Sequence, residues 1–251
     1  MWPTLVQIGP FTLSTYGAMT ALAFVLVVGM VRHATRRTLR GLVPMSDEAL
    51  VDWAVWAVLG GILGGRLLYV LLNWEVYAAR PQEILAIWHG GLVWYGGFTG
   101  GMLTTMFFFR RRRIPPLEGL DQVIPFGVLG HAVGRLGCFA NGCCYGKFTT
   151  SWFGVRFPGH ALPTVPTQLF ESAGLVVLYL GLRALQRPVA LNRPGTVFAA
   201  YLIGYGILRG MIEQWRANQP IVWGVMTVSQ CISLILIVLG AFLLTKHHEE
   251  V

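Results

Sequence analysis

Seven stretches of this chain, at about 14–31, 50–72, 92–109, 121–141, 168–186, 195–213 and 225–245, are each close to the length of a bilayer crossing and mostly apolar. A helix of about 20 such residues spans the hydrocarbon core. Lipid offers no hydrogen bonds, so the backbone must satisfy itself and the stretches must be helical. The expected fold is all-α, a polytopic membrane protein of about seven transmembrane helices, with residues 1–251 forming a single integral membrane domain. The fourth stretch is glycine-rich and short of bulky side chains, which leaves a broken or re-entrant segment open there. Composition agrees: 55% of residues are hydrophobic and 12% charged, about half the roughly 25% charged residues of soluble domains. Disorder, a coiled coil and a secreted disulfide scaffold are excluded. Met1 to Pro10 carries no basic leader, so no cleavable signal peptide is expected and the first helix stays.

The net charge of +8 is almost all arginine, Lys147 and Lys246 being the only lysines. In a soluble chain this balance would suggest nucleic acid. Here the arginines sit in short runs between apolar spans and report orientation instead, so no nucleic-acid partner is expected. Arg32, Arg36, Arg37 and Arg40, then Arg110 to Arg113, then Arg183, Arg187 and Arg193, with Lys246 in the tail, fall on one side; Arg80, Lys147, Arg156 and Arg216 fall on the other. This places the N-terminus outside and the C-terminus in the cytoplasm. Trp53, Trp56, Trp74, Trp88, Trp94, Trp215 and Trp223 read as interfacial belts. Gly60, Gly61, Gly64 and Gly65, echoed by Gly96, Gly97, Gly100 and Gly101, permit close helix approach. No internal repeat is visible.

Arg66, Arg135 and Arg209 lie inside spans. Each costs at least about 2.5 to 3.5 kcal/mol at mid-bilayer and therefore needs a partner. That partner is either an internal carboxylate, Glu171 or Glu213, or an anionic substrate. Arg209, Glu213 and Arg216 share one helical stripe, and an arginine fork suits a phosphodiester. The densest chemistry is in the fourth stretch, where His131 and Arg135 are four apart and Gly134-Arg-Leu-Gly-Cys-Phe-Ala-Asn-Gly-Cys-Cys-Tyr-Gly146 follows. Its glycines suggest that the helix ends there and turns backbone amides toward an anion.

This run resembles the signature of the prolipoprotein diacylglyceryl transferases, Gly-Arg-x-Gly-Asn-Phe-x-Asn-Gly-Glu-x-x-Gly, through Gly134, Arg135, Gly137, Phe139, Asn141, Gly142 and Gly146. Tyr16-Gly17, Gly64-Gly65-Arg66, Gly90-Gly91 through Gly96-Gly97, Pro166-Thr-Gln-Leu-Phe-Glu171, and Tyr205-Gly-Ile-Leu-Arg209 with Glu213 and Arg216 also look like family motifs in family order. The resemblance implies a multi-pass enzyme of the bacterial plasma (inner) membrane with its active site toward the outer face. It would move the diacylglyceryl group of phosphatidylglycerol onto the lipobox cysteine of a lipoprotein precursor, or onto another thiol acceptor in a divergent paralogue. Its partners are then phosphatidylglycerol, that acceptor and membrane lipid, with no metal or other cofactor demanded. Carried over residue by residue, the implied catalytic group is Arg135, Arg209, Tyr16, Asn141, Tyr95 and Glu213, and the implied substrate-binding group is Arg66, Gly142, Gly146, Glu171 and Arg216.

The chain departs from the family pattern at three places. Tyr95 stands where the family has a histidine proposed as a base, and a free phenol, titrating near about 10, is a poor base at neutral pH. Cys138 replaces the signature asparagine and Cys143 its glutamate. His89 or His131 could supply the base. Cys138, Cys143 and Cys144 admit four readings: a disulfide, inert small residues, redox-active or nucleophilic thiols, or a soft-metal site. Their spacing is not that of a two-pair zinc framework, and Cys231 reads as core filler. The rival reading from a different class is a non-transferase, a membrane thiol-redox or metal-handling protein that reuses the fold.

Overall fold

The computed structural model describes residues 3–8, 11–36, 45–87, 90–186, 193–217, 221–222 and 224–249. Trp88, His89, Trp223, Arg37, Arg40 and Arg187 lie outside them. The contacts divide the chain into two compact units, Met1–Leu42 with Leu120–Val251, and Val43–Gly119.

In the first unit, strands β1 (Thr4–Ile8) and β2 (Phe11–Ser14) pair antiparallel, with Val6 opposite Leu13. They lead into α1 (Thr15–Arg36), where the Ser14 hydroxyl accepts from the Gly17 amide at 3.0 Å. In the second unit, α2 (Asp47–Leu72) opens with Ser46 accepting from the Ala49 amide, and Asp47 and Glu48 sit in its positive first turn. A short helix α3 (Trp74–Ala79) and a 3₁₀ turn Pro81–Leu85 lead to α4 (Trp94–Arg111). Helix α5 (Pro116–Asn141) follows, then α6 (Thr167–Leu185), α7 (Thr196–Glu213), a two-residue pairing of β3 (Ile221–Val222) with β4 (Met226–Thr227), and α8 (Val228–Glu249).

The fold is that of an all-helical, polytopic membrane protein. Helices α1, α2, α5, α6 and Val228–Thr245 of α8 are long and apolar enough to cross a membrane, with mean hydropathy between 1.3 and 2.3. All seven apolar stretches coincide with the long helices, α4 and α7 being the two that carry Arg110 and Arg111, and Arg209 and Glu213. The fourth stretch, where the sequence leaves a break open, is one continuous helix that starts at Pro116 and contains Pro125. Two of its glycines make helix contacts: a Cβ on Gly130 would stand 2.6 Å from Val27 of α1, and one on Gly137 would stand 2.8 Å from Met19.

Lipid tails are as apolar as leucine, so close backbone packing holds membrane helices together. In the second unit α2 and α4 meet on the expected glycines. A Cβ on Gly64 would lie 2.4 Å from the Gly96 carbonyl oxygen, and one on Gly100 would lie 2.2 Å from that of Gly60. Trp53 Nε1, far from an interfacial belt role, donates to Thr105 Oγ1 at 3.2 Å inside this contact. In the first unit α5, α6 and α7 enclose a core of Val128, Ala132, Leu175, Leu182, Val197, Tyr201, Leu202 and Tyr205. The buried Asp121 carboxylate fixes the start of α7 by accepting from the amides of Gly195 and Phe198 at 2.6 and 2.7 Å.

Candidate active site

Three helices of the first unit carry its buried charges. Arg135 lies near the end of α5, Glu171 in the second turn of α6, and Arg209 and Glu213 at the end of α7. Glu171 Oε2 takes a close ion pair from Arg135 Nη2 and faces Arg209 Nη1 at 3.7 Å. Its Oε1 faces His131 Nε2 at 3.9 Å. Arg209 Nη2 reaches Glu213 Oε2 at 2.9 Å, one turn along the same helix, and donates to Ser229 Oγ at 2.9 Å. Thr227 Oγ1 donates to Glu213 Oε1 at 2.8 Å. The Glu171 and Glu213 side chains are 2% and 0% exposed. Isolated charges so deeply buried would be prohibitive, so the paired arrangement makes the cluster possible. Of the two partners left open by the sequence, the internal carboxylates are therefore present.

The signature run closes α5. The Gly142 amide donates to the Phe139 carbonyl and the Cys143 amide to that of Cys138, a Schellman turn with Gly142 at φ 75°. The Gly146 amide goes to the Val165 carbonyl. The expected anion nest therefore loses three amides to the chain itself: those of Gly142 and Cys143 are the natural donors for carbonyls freed at the helix end, and that of Gly146 pairs with the segment ahead of α6. The turn presents thiols as well as amides. Cys138, Cys143 and Cys144 are free and their Sγ atoms lie within 4.8 Å of one another. Hydrogen bonds from the Cys138 and Cys143 thiols, reinforced by the charges of Arg135 and Arg216, hold the Cys144 thiol well below the ordinary cysteine range.

Asn141 ends α5 and its side chain hydrogen-bonds the Cys143 thiol. Tyr16, in the first turn of α1, lies within Coulombic reach of all three cysteines. Gly137 lets α1 come this near, since a Cβ there would stand 2.8 Å from the Met19 Cβ, one turn along from Tyr16. Gly146 bridges backbone to backbone with Arg216, and a Cβ there would stand 2.3 Å from the Trp215 carbonyl oxygen. It thus sets Arg216 beside the thiol turn. An apolar cleft of about 420 Å³ opens along α7, lined by Phe153, Phe170, Leu208, Met211, Ile212 and Trp215.

Two expected residues belong to the second unit. All five N–H groups of Arg66 are consumed by carbonyls, those of Glu83, Ile84, Ala86, Gly90 and Gly91, and Tyr69 and Tyr77 cover its guanidinium. It staples residues 83–86 and 90–91 to α2. Tyr95 occupies the first turn of α4, exposed and edge-on to Trp94. Among residues that sequence reasoning passed over, Thr167 and Gln168 stand out. Their side chains hold the Cys144 and Cys143 carbonyls at 2.8 and 2.5 Å. Both sit in the Pro166-to-Glu171 run, so the signal was present in the motif.

The family model described as prolipoprotein diacylglyceryl transferase matches residues 3–246. The chain is similar to proteins named phosphatidylglycerol–prolipoprotein diacylglyceryl transferase. That of Synechococcus elongatus is 36% identical over 95% of this chain and 84% of its own length. That of Rhodopseudomonas palustris is 34% identical over 95% and 87%, and that of Lactobacillus acidophilus 30% identical over 94% and 86%. With the ordered motifs and the buried arginine cluster behind it, the match over nearly the whole chain makes this protein a member of the prolipoprotein diacylglyceryl transferase family.

Proposed function

We propose that this protein is a lipoprotein-biosynthesis transferase that moves the diacylglyceryl group of phosphatidylglycerol onto the lipobox cysteine of a prolipoprotein. The relatives carry that activity in their names. The observation that supports it most directly is the meeting of Arg135 and Arg209 on Glu171. In the reaction the acceptor sulfur forms a bond to the glyceryl carbon, the carbon–oxygen bond to phosphate breaks, and glycerol phosphate leaves with the electron pair. Negative charge therefore builds on the phosphate, where guanidinium forks in a low-dielectric site are most effective. Arg135 and Arg209, meeting on Glu171, are the two forks a phosphodiester would meet. His131, facing Glu171, takes the acceptor thiol proton in place of the family histidine at Tyr95. The apolar cleft along α7 takes an acyl chain.

The same reading places the protein in the bacterial plasma membrane with seven crossings, N-terminus outside and C-terminus in the cytoplasm, following its arginine-rich loops. The site then opens toward the outer face. Complementation of a cell depleted of its own diacylglyceryl transferase, with thioether formation on the acceptor followed by mass spectrometry, tests the activity. Failure to complement with a correctly inserted, abundant protein would refute it.

A further inference from the structure

The end of α5 gathers sulfur as well as charge, in a backbone that is held in place from several sides. The Schellman turn at Gly142 is followed by Cys144 at φ 63°, a left-handed conformation that costs a non-glycine residue on the order of 1 kcal/mol or more. The fully buried side chains of Thr167 and Gln168 pin the carbonyls of Cys144 and Cys143. Tyr145 then packs against Phe157 and His160, with ring centroids 5.3 and 4.3 Å away. These restraints bring three free thiols from two sides of the turn to within 4.8 Å of one another.

Three sulfurs bound to one metal at about 2.3 Å in a plane stand roughly 4 Å apart, so a small contraction of this cluster closes a site. Thiolates select soft cations, Cu(I) and Zn(II) foremost. Structural zinc takes four ligands, and among the described residues no fourth histidine, cysteine or carboxylate joins the group. Three-coordinate Cu(I) needs none. Charge favours it as well. Three thiolates around Cu(I) carry a net charge of about −2. Arg135 Nη1 stands 4.0 Å from Cys138 Sγ, and Arg216, bridged through its backbone to Gly146, acts on Cys144. These two guanidiniums stand beside the loaded site and offset part of its charge, Arg135 while also paired with Glu171.

We propose that Cys138, Cys143 and Cys144 form a three-thiolate binding site for a soft monovalent cation of the Cu(I) type. Binding displaces the remaining thiol protons and involves no redox step.

The test uses the full-length, reduced protein in detergent micelles under nitrogen, titrated with Cu(I) against a bicinchoninate chelator and examined by X-ray absorption at the copper edge. One Cu(I) per chain should be retained, with a shell of sulfur only at roughly 2.3 Å. Loss of an outer-shell partner alone costs 10- to 100-fold in metal affinity, so Cys138→Ser, Cys143→Ser and Cys144→Ser should each weaken retention by more than about 100-fold. Cys231→Ser should leave it unchanged. Gln168→Ala keeps every thiol but frees the Cys143 carbonyl, and should weaken retention about tenfold. The wild-type copper count and ligand shell stand whether or not a cysteine variant folds. No retained copper, nitrogen or oxygen in its shell, tighter retention of Zn(II) than of Cu(I), or equal retention by the variant lacking all three thiols would overturn the site.

Discussion

Arg135 on α5 and Arg209 on α7 meet on a single oxygen, Oε2 of Glu171. Two like charges drawn together in a buried site need an anion between them, and the carboxylate supplies one. A phosphodiester entering the same place would meet both forks. Arg209→Lys keeps the charge but loses the planar geometry that also reaches Glu213 and Ser229. A hydrogen bond to a charged group is worth about 1.5 to 3 kcal/mol, so diacylglyceryl transfer should fall by about 10- to 100-fold while the protein stays folded. Acceptor thioether yield, measured by mass spectrometry, reads the effect. An undiminished rate would show that Arg209 supplies bulk charge only.

Glu171→Gln removes the shared anion and leaves both guanidiniums facing each other. Breaking a buried ion pair from one side typically costs about 3 to 5 kcal/mol. The thermal midpoint in detergent should drop accordingly. Anionic phospholipid should restore part of the loss, because it can replace the missing charge. Equal recovery in zwitterionic lipid would mean that no anion enters between the arginines.

The helices were legible because a membrane crossing demands about 20 apolar residues, a signal that survives local variation. The Arg209–Glu213 pair was legible from its spacing of four. Glu171 as the hub was not, since periodicity within α6 says nothing about which side chains arrive from α5 and α7. The family resemblance implies a substrate-binding Arg66, yet its partners are five backbone carbonyls, and backbone groups leave no trace in residue type. The fourth stretch leaves a break open in the sequence for a related reason. Glycine lowers the apolar signal, while at Gly130 and Gly137 it is what lets α1 approach α5.

The α2–α4 contact predicts a contrast between glycines. In Gly64→Ala the new methyl group would be forced to within 2.4 Å of the Gly96 carbonyl oxygen. Such overpacking costs about 1 to 3 kcal/mol and should appear as a lower thermal midpoint. Gly29→Ala, with nothing within 4 Å of the new Cβ in the middle of α1, should be neutral or stabilising by up to about 1 kcal/mol. Matching effects at the two positions would show that close approach does not govern this contact.

Cys144 predicts a pH profile. Only the thiolate reacts with iodoacetamide, and a free cysteine, titrating near about 8.5, reacts faster as pH climbs through that value. Hydrogen bonds from Cys138 and Cys143, with Arg135 and Arg216 adding positive charge, lower the Cys144 value, so its thiolate persists to lower pH. In metal-free protein its alkylation rate, followed by peptide mass spectrometry, should level off at lower pH than that of the same peptide in denatured protein. Arg216→Gln removes one stabilising charge and should move the rise in rate back toward alkaline pH. A wild-type rate that still climbs through pH 8.5 would show that the arginines do not stabilise the ionised sulfur.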